Sequence, residues 1–196
     1  MRWGSCPLSA KSRHSATCPD SWRPTARVSV SANARVSIMN LDGSCYCGAV
    51  RFSLDAYAPA PYMRCYCSIC RKTAGGGGYA INLGGRTESL VVKGEEAISV
   101  FHAVIDGQQS PAERRFCSRC GSALWVWDPS WPDLVHPFAS AIDTPLPAAP
   151  EAVHIMLGSR ANWVRVDQVK GDDCHKLYPS ESLEEWHRRH RLLNGD

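Results

Sequence analysis

Residues 43–54 read GSCYCGAVRFSL, so two cysteines one residue apart lead directly into an apolar strand pattern. In an extended strand, side chains i and i+2 point to the same face, which lets Cys45 and Cys47 present two thiolates to one ion. A Cys-x-x-Cys pair, Cys117 and Cys120, stands before the apolar run at 123–127. Together these four cysteines give the closed tetrahedral set that zinc prefers in structural sites.

A third cysteine group lies between these two pairs, where residues 65–73 read CYCSICRKT. If the first four cysteines share one ion, Cys65, Cys67 and Cys70 remain as three thiolates with one exchangeable position, which is typical of a catalytic zinc. A dipositive ion with three thiolates has a net charge of −1, so it suits soft ligands such as a small thiol, which it would hold as the nucleophilic thiolate. Other arrangements stay open: both sites are structural, or a histidine or Cys174 completes the second.

The composition favours a metalloprotein of a reducing compartment over a disulfide framework. The chain has 196 residues and ten cysteines, and no apolar signal-peptide pattern opens it, so we expect a cytoplasmic protein. No run of about 20 apolar residues predicts a membrane helix. Six Lys/Arg and one acid fall in residues 1–38, which leaves 16 basic and 18 acidic residues from Met39 onward. This near-neutral body predicts no nucleic-acid partner.

The sequence predicts one mainly β domain over residues 39–196. Residues 1–38 are Ser- and Arg-rich and lack periodicity, which indicates a disordered or non-native N-terminal extension, with Met39 as the expected start. The form Ser182-x-x-Glu185 is a capping box that predicts one short C-terminal helix. Alternating patterns between Gly and Pro clusters predict seven short strands, at residues 49–54, 62–65, 79–83, 90–93, 98–102, 123–127 and 153–157.

Three stretches together resemble the family of glutathione-dependent formaldehyde-activating enzymes, which also includes centromere protein V. They are residues 43–52 (GSCYCGAVRF), 65–73 (CYCSICRKT) with the glycines that follow, and 116–125 (FCSRCGSALW). The resemblance covers residues 40 to 190 and implies a β-tent fold of packed antiparallel sheets with zinc knuckles. It also implies two zinc ions per chain, a structural one on Cys45, Cys47, Cys117 and Cys120 and a second one on Cys65, Cys67 and Cys70.

The resemblance further implies a carbon–sulfur lyase that joins glutathione to formaldehyde. Many members carry His where this chain has Tyr66, which we take as a candidate catalytic residue because its hydroxyl can donate a hydrogen bond. Arg71 and Lys72 are candidates for attracting the carboxylates of glutathione, and the backbone N–H groups of Gly76 and Gly77 for an anion-binding nest.

Two hypotheses follow. The first is a zinc-dependent enzyme that adds a small thiol such as glutathione to formaldehyde or a related small aldehyde, with Cys65, Cys67 and Cys70 as the open site. The alternative is a non-catalytic zinc-binding module with two structural zincs that binds a protein or nucleic-acid partner. A fourth protein ligand at the second site would favour the alternative.

Overall fold

The computed structural model describes residues 37–58, 61–149 and 151–190. The predicted extension over residues 1–38 lies outside this part of the chain except for its last two residues, which begin the first strand. The described residues are mainly β, as predicted. The strands are β1 (Ser37–Ser44), β2 (Arg51–Ala58), β3 (Tyr62–Cys65), β4 (Ala80–Asn82), β5 (Gly85–Arg86), β6 (Val91–Lys93), β7 (Ile98–Phe101), β8 (Val104–Ile105), β9 (Gln108–Gln109), β10 (Glu113–Cys117), β11 (Ala123–Trp127), β12 (Leu134–Pro137), β13 (Ala152–Ile155) and β14 (Asp173–Cys174), and the α-helices are α1 (Ser68–Ala74) and α2 (Leu183–Arg189).

The largest sheet is antiparallel and has eight strands. Its order is β1-β2-β5-β12-β11-β10-β7, and β6 also pairs with β2. Two of its hairpins matter for function. The β1–β2 hairpin closes on the pair Ser44 and Arg51, and the β10–β11 hairpin closes on Phe116 and Ala123. Each hairpin turn therefore contains one of the predicted cysteine pairs.

The second sheet mixes parallel and antiparallel pairs in the order β14-β13-β3-β4. Strands β3 and β13 run parallel, with Arg64 opposite His154 and Cys65 opposite Ile155. A single bridge between Asn82 and Phe138 links this sheet to the segment that follows β12. The end of β3, where the second cysteine group begins, is thus held between neighbouring strands on both sides.

Two apolar cores lie beneath the two cysteine groups. Cys45 and Cys117 belong to the larger core, which also contains Phe52, Leu124 and Trp125. Phe52 and Trp125 meet edge to face, with ring centroids 5.1 Å apart. The smaller core holds Cys65 and Cys70, packed with residues from several elements: Val126, Phe138, Val153, Ile155 and Trp186. Each group of thiols therefore has buried members in its own apolar core.

Several predicted elements are confirmed. The strands at 62–65 and 123–127 have the predicted bounds, and α2 begins after the predicted capping box, in which Ser182 Oγ accepts from Glu185 N at 3.1 Å. One expectation about the cysteines was wrong, because Cys45 and Cys47 lie in a turn rather than in a strand. Helix α1, which has Cys67 as its cap and Cys70 in its first turn, was not predicted from the sequence.

Gly94 offers a test of how tightly the first cysteine turn is packed. Its φ is +81°, and a Cβ built there would overlap the carbonyl oxygen of Ala49, inside that turn. Gly107 has a similar φ of +80° but open space around it. We expect Gly107→Ala to cost about 1–2 kcal/mol of unfolding free energy from left-handed backbone alone. Gly94→Ala should cost about 3 kcal/mol or more, because overlap adds to that strain.

Urea denaturation of the metal-loaded protein measures both changes. Equal losses for the two substitutions would show that backbone conformation, and not contact with the cysteine turn, accounts for the effect at Gly94.

Candidate metal centres

The first cysteine group is built by two hairpin turns that meet. Cys45 and Cys47 lie in the β1–β2 turn, while Cys117 ends β10 and Cys120 lies in the turn after it. The four Sγ atoms all lie within 4.8 Å of one another. The Cys45–Cys47 and Cys47–Cys117 sulfur separations are 3.5 and 3.8 Å. A tetrahedron with zinc–sulfur bonds of 2.3 Å has an edge of about 3.8 Å, so the donor set fits such an ion.

The two turns share one design. In the first, Gly48 follows the second cysteine with a φ of +73°, and its N–H donates to Cys45 O at 3.0 Å. In the second, Gly121 follows with a φ of +75° and donates to Cys117 O at 2.8 Å. Only glycine adopts this conformation at little cost, so the repeated Cys-Gly step shapes both turns.

Hydrogen bonds distribute negative charge unevenly over the first group. The Ser122 hydroxyl, above all, lowers the pKa of Cys120 to about 5. Burial alone would raise the pKa of Cys45, but the Val50 N–H, 3.2 Å from its sulfur, helps to hold it below its ordinary value. At Cys47 the Ala49 N–H acts most strongly and lowers the pKa, yet the neighbouring cysteines and burial together outweigh it and the pKa rises to about 11. Four thiolates here require a cation.

The second cysteine group, Cys65, Cys67 and Cys70, spans the junction between β3 and α1. Cys65 ends the strand, Cys67 caps the helix, and Cys70 lies in its first turn, where its N–H donates to Cys67 Sγ at 3.3 Å. The three sulfur atoms lie within 4.8 Å of one another. Among the described residues, no histidine, carboxylate or further cysteine joins them at that distance. The group therefore offers three ligands from this part of the chain.

The pKa values of the thiols are displaced further from their ordinary value in this second group. Hydrogen bonds from the Cys65 thiol and then the Cys70 thiol lower the pKa of Cys67 to about 2. The pKa of Cys65 is raised, first because of its hydrogen bond with Cys67. The three thiols thus hold their protons with unequal strength. A metal ion would replace those protons, since metals bind the deprotonated form.

Tyr66, between two of these cysteines, is fully buried and belongs to a polar chain. Its hydroxyl lies 2.9 Å from His154 Nδ1, and His154 Nε2 lies 3.2 Å from Asp172 Oδ2. The Asp172 carboxylate also accepts the N–H groups of Ala152 and Val169, at 3.0 and 2.9 Å. A neutral His154 that donates from Nε2 to the carboxylate accepts the Tyr66 hydrogen at Nδ1. Tyr66 therefore ties the second group to β13 and to the segment before β14.

Electrostatics agree with that assignment of donors and acceptors. Burial raises the pKa of Tyr66, which keeps its hydroxyl protonated. Burial acts to raise the pKa of Asp172 as well, but the N–H groups of Val169 and Ala152, and then His154, outweigh it and leave that pKa lowered. The hydrogen-bonded series thus runs from the Tyr66 phenol through the His154 imidazole to the Asp172 carboxylate.

The other predicted site residues follow directly on α1. Arg71 is half-buried and Lys72 is exposed, both in the last part of the helix. Gly76 and Gly77 occupy the exposed tip of the next turn, which Gly78 N closes on Gly75 O at 3.0 Å. The turn is open, because nothing lies within 4 Å of a Cβ built at either tip glycine.

Two residues near the second group were missed in the sequence. Arg114, on β10, donates from Nη1 to Cys70 Sγ at 3.7 Å. Tyr178 is 69% exposed, yet partial burial of its hydroxyl and then the charges of Cys65 and Cys67 raise its pKa. Reading residues 113–117 as a strand would have placed Arg114 on one face and Glu113 and Arg115 on the other. No comparable signal marks Tyr178.

A family model and a sequence relative indicate the same family. The family model described as glutathione-dependent formaldehyde-activating enzyme matches residues 40–159. A Halomonas elongata protein, provisionally named a glutathione-dependent formaldehyde-activating enzyme, is 60% identical over 157 residues, which are 80% of this chain and 100% of that protein. A Rhodobacter sphaeroides protein with a crystal structure from structural genomics is 27% identical in sequence, with a TM-score of 0.43. The match covers 56% of this chain and 92% of the Rhodobacter chain. In the described ranges, no helix is long and apolar enough to cross a membrane.

Metal content should follow the two groups separately. We expect protein from zinc-supplemented cells to bind one ion per group, so Cys47→Ser and Cys67→Ser should each lose one ion and keep the other. Cys174→Ser, a free cysteine outside both groups, is the matched control and should lose none. Elemental mass spectrometry on dialysed protein gives the count. Loss of both ions in Cys67→Ser would contradict the independence of the groups.

The Cys-Tyr-Cys sequence occurs twice, which supplies a control for Tyr66. Tyr66→Phe leaves His154 Nδ1 buried without its donor, and we expect a loss of about 1–3 kcal/mol in unfolding free energy. Tyr46→Phe should leave stability unchanged, because Tyr46 is 96% exposed. Urea denaturation with metal held constant measures both, and an unaffected Tyr66→Phe would show that the hydrogen bond is not needed.

Proposed function

This chain belongs to the family of glutathione-dependent formaldehyde-activating enzymes, and on that premise we propose that it adds a small thiol such as glutathione to formaldehyde or a related small aldehyde. The proposed class is a zinc-dependent carbon–sulfur lyase. The observation that carries the proposal is the second cysteine group, which brings three thiols together with no fourth ligand from the described residues. A four-ligand site offers a substrate no coordination position, whereas three protein ligands leave one.

The two groups would hold one zinc ion each. The set of Cys45, Cys47, Cys117 and Cys120 fits a structural ion, because it brings four sulfur atoms from two hairpin turns within 4.8 Å of one another. A second ion at Cys65, Cys67 and Cys70 would supply one kind of chemistry, namely holding an added thiol in its deprotonated, nucleophilic form.

The residues around the second group suit such a thiol. Arg114 places a positive charge against Cys70. Arg71 and Lys72 follow on the same helix and would attract the carboxylates of glutathione. The exposed N–H groups of the turn at Gly76 and Gly77 offer further anion contacts. These groups orient the peptide part of the thiol and leave its sulfur free to enter the cysteine group.

Bond formation then needs little from the protein. The thiolate sulfur attacks the carbonyl carbon of the aldehyde, the π electrons move to the carbonyl oxygen, and that oxygen takes up a proton. Tyr178 is the proposed donor, because the charges of Cys65 and Cys67 act on its phenol, which places it near the second group, and its raised pKa keeps it protonated. Tyr66 does not act as a donor here, because its hydroxyl is buried against His154. We propose that Tyr66 positions the cysteines on either side of it.

We also propose a cytoplasmic setting for this domain of residues 39–196. All eight cysteines of the described residues are free thiols, and both proposed ligand sets require them to be reduced.

Thiol-dependent loss of aldehyde tests the function. Purified wild-type protein should consume formaldehyde faster with glutathione than without it, and Cys67→Ser should reduce that rate at least about 100-fold. Cys174→Ser, which keeps both groups intact, should behave as wild type. The residual formaldehyde is measured at intervals against a protein-free control, because the thiol and the aldehyde also combine spontaneously.

The alternative of a non-catalytic module makes a different prediction. Wild-type protein would carry two zinc ions and give no acceleration over the protein-free reaction, and Cys67→Ser would change stability alone. That result would contradict the proposed function.

A further inference from the structure

Arg114 contacts the second cysteine group from a separate and rigid part of the fold. Its Nη1 donates to Cys70 Sγ at 3.7 Å, although the two residues are 44 positions apart. Strand β10 is paired on both sides, so Arg114 lies opposite Val126 on β11 and opposite Phe101 on β7. The guanidinium therefore approaches Cys70 from a position that two ladders of hydrogen bonds define.

The arginine is also held close to the site by burial. It is half-buried, and its Nε is fully enclosed with no hydrogen-bond partner among the described residues. A buried donor without a partner is costly, so it needs a compensating interaction. Cys70 is 4% exposed, which means that solvent screens this contact weakly.

Charge arithmetic shows what this contact can do. Three thiolates and a dipositive ion carry a net charge of −1, and a fourth thiolate would bring the total to −2. Each added negative charge disfavours the next in a partly buried site. The guanidinium contributes +1 beside Cys70, so it offsets the charge that an incoming thiolate brings.

We propose that Arg114 is a specificity-determining residue of the second cysteine group, selecting an anionic thiolate over a neutral fourth ligand. This inference rests on the proposed function, since it concerns the thiol that the open position takes. The proposed role of Arg114 is to balance charge at the second cysteine group. Arg71 and Lys72, which directly follow Cys70 in the sequence, remain the candidates for contacting the carboxylates of glutathione.

Ligand affinity of the cobalt-substituted protein tests the inference without relying on turnover. The visible absorption of cobalt at the second group reports entry of a fourth ligand, and three probes separate the possible roles. Glutathione is a thiol with carboxylates, 2-mercaptoethanol is a thiol without them, and imidazole is a neutral ligand. We expect Arg114→Met to weaken both thiols by about 10- to 100-fold and to leave imidazole binding unchanged.

Arg115→Met is the matched control. Arg115 is the next residue on the strand, but it is ion-paired with Glu113 and lines a 620 Å³ cavity together with Trp125 and Trp127. The Arg115→Met protein should bind all three probes as the wild-type protein does. Arg114→Lys, which keeps the charge, should recover most of the thiol affinity, and an unchanged cobalt content shows that each variant has folded around both sites.

Three results would overturn the inference. Weaker glutathione binding with normal 2-mercaptoethanol binding would make Arg114 a carboxylate contact, and equal weakening of thiols and imidazole would make it a structural residue. Failure of the proposed function looks different: the wild-type protein would bind thiols with Arg114 dependence but would not accelerate aldehyde loss. Aldehyde consumption by wild type, combined with unchanged thiol binding in Arg114→Met, would remove the inference alone.

Discussion

Seven thiols gathered into two tight groups can be ligands together only if cations neutralise them, and much of the fold is arranged around that constraint. The described sulfur atoms of each group lie within 4.8 Å, where several negative charges would repel one another strongly. Without an ion, protons and hydrogen bonds take its place, which explains why neighbouring cysteines have displaced pKa values in opposite directions. The two cores beneath Cys45 and Cys65 hold the sulfur atoms close despite this repulsion.

Strands β10 and β11 connect the two groups through their turn and one of their faces. Their turn supplies Cys117 and Cys120 to the first group, while Arg114 on one face reaches Cys70 of the second. The opposite face carries Arg115 and Trp125 and lines the cavity. One hairpin therefore contributes cysteines to the first group at its end and an arginine to the second group along its side.

The cysteine sets, the mainly β class and the C-terminal capping box could be predicted because each depends on local spacing. Other features depend on contacts far along the chain. The two Cys-Tyr-Cys tripeptides are identical in sequence, yet Tyr46 is exposed and Tyr66 is buried against His154, 88 positions away. Strand β10 reads ERRFC, and its two adjacent arginines disguise a strand whose faces have different partners. Parallel pairing of β3 with β13 leaves no mark in either short segment.

The two cysteine groups differ in how far apart their cysteines lie in the sequence, and this difference matters in the unfolded state. Cys65, Cys67 and Cys70 fall within six consecutive residues, so an unstructured chain can still bring them around an ion. The first group joins cysteines 70 positions apart and has no such preformed counterpart. An ion stabilises a fold only to the extent that it binds the folded state better than the unfolded one. An ion at the second group would therefore contribute less to folding than its affinity suggests, and its exchange or loss would perturb the fold less than loss of an ion from the first group.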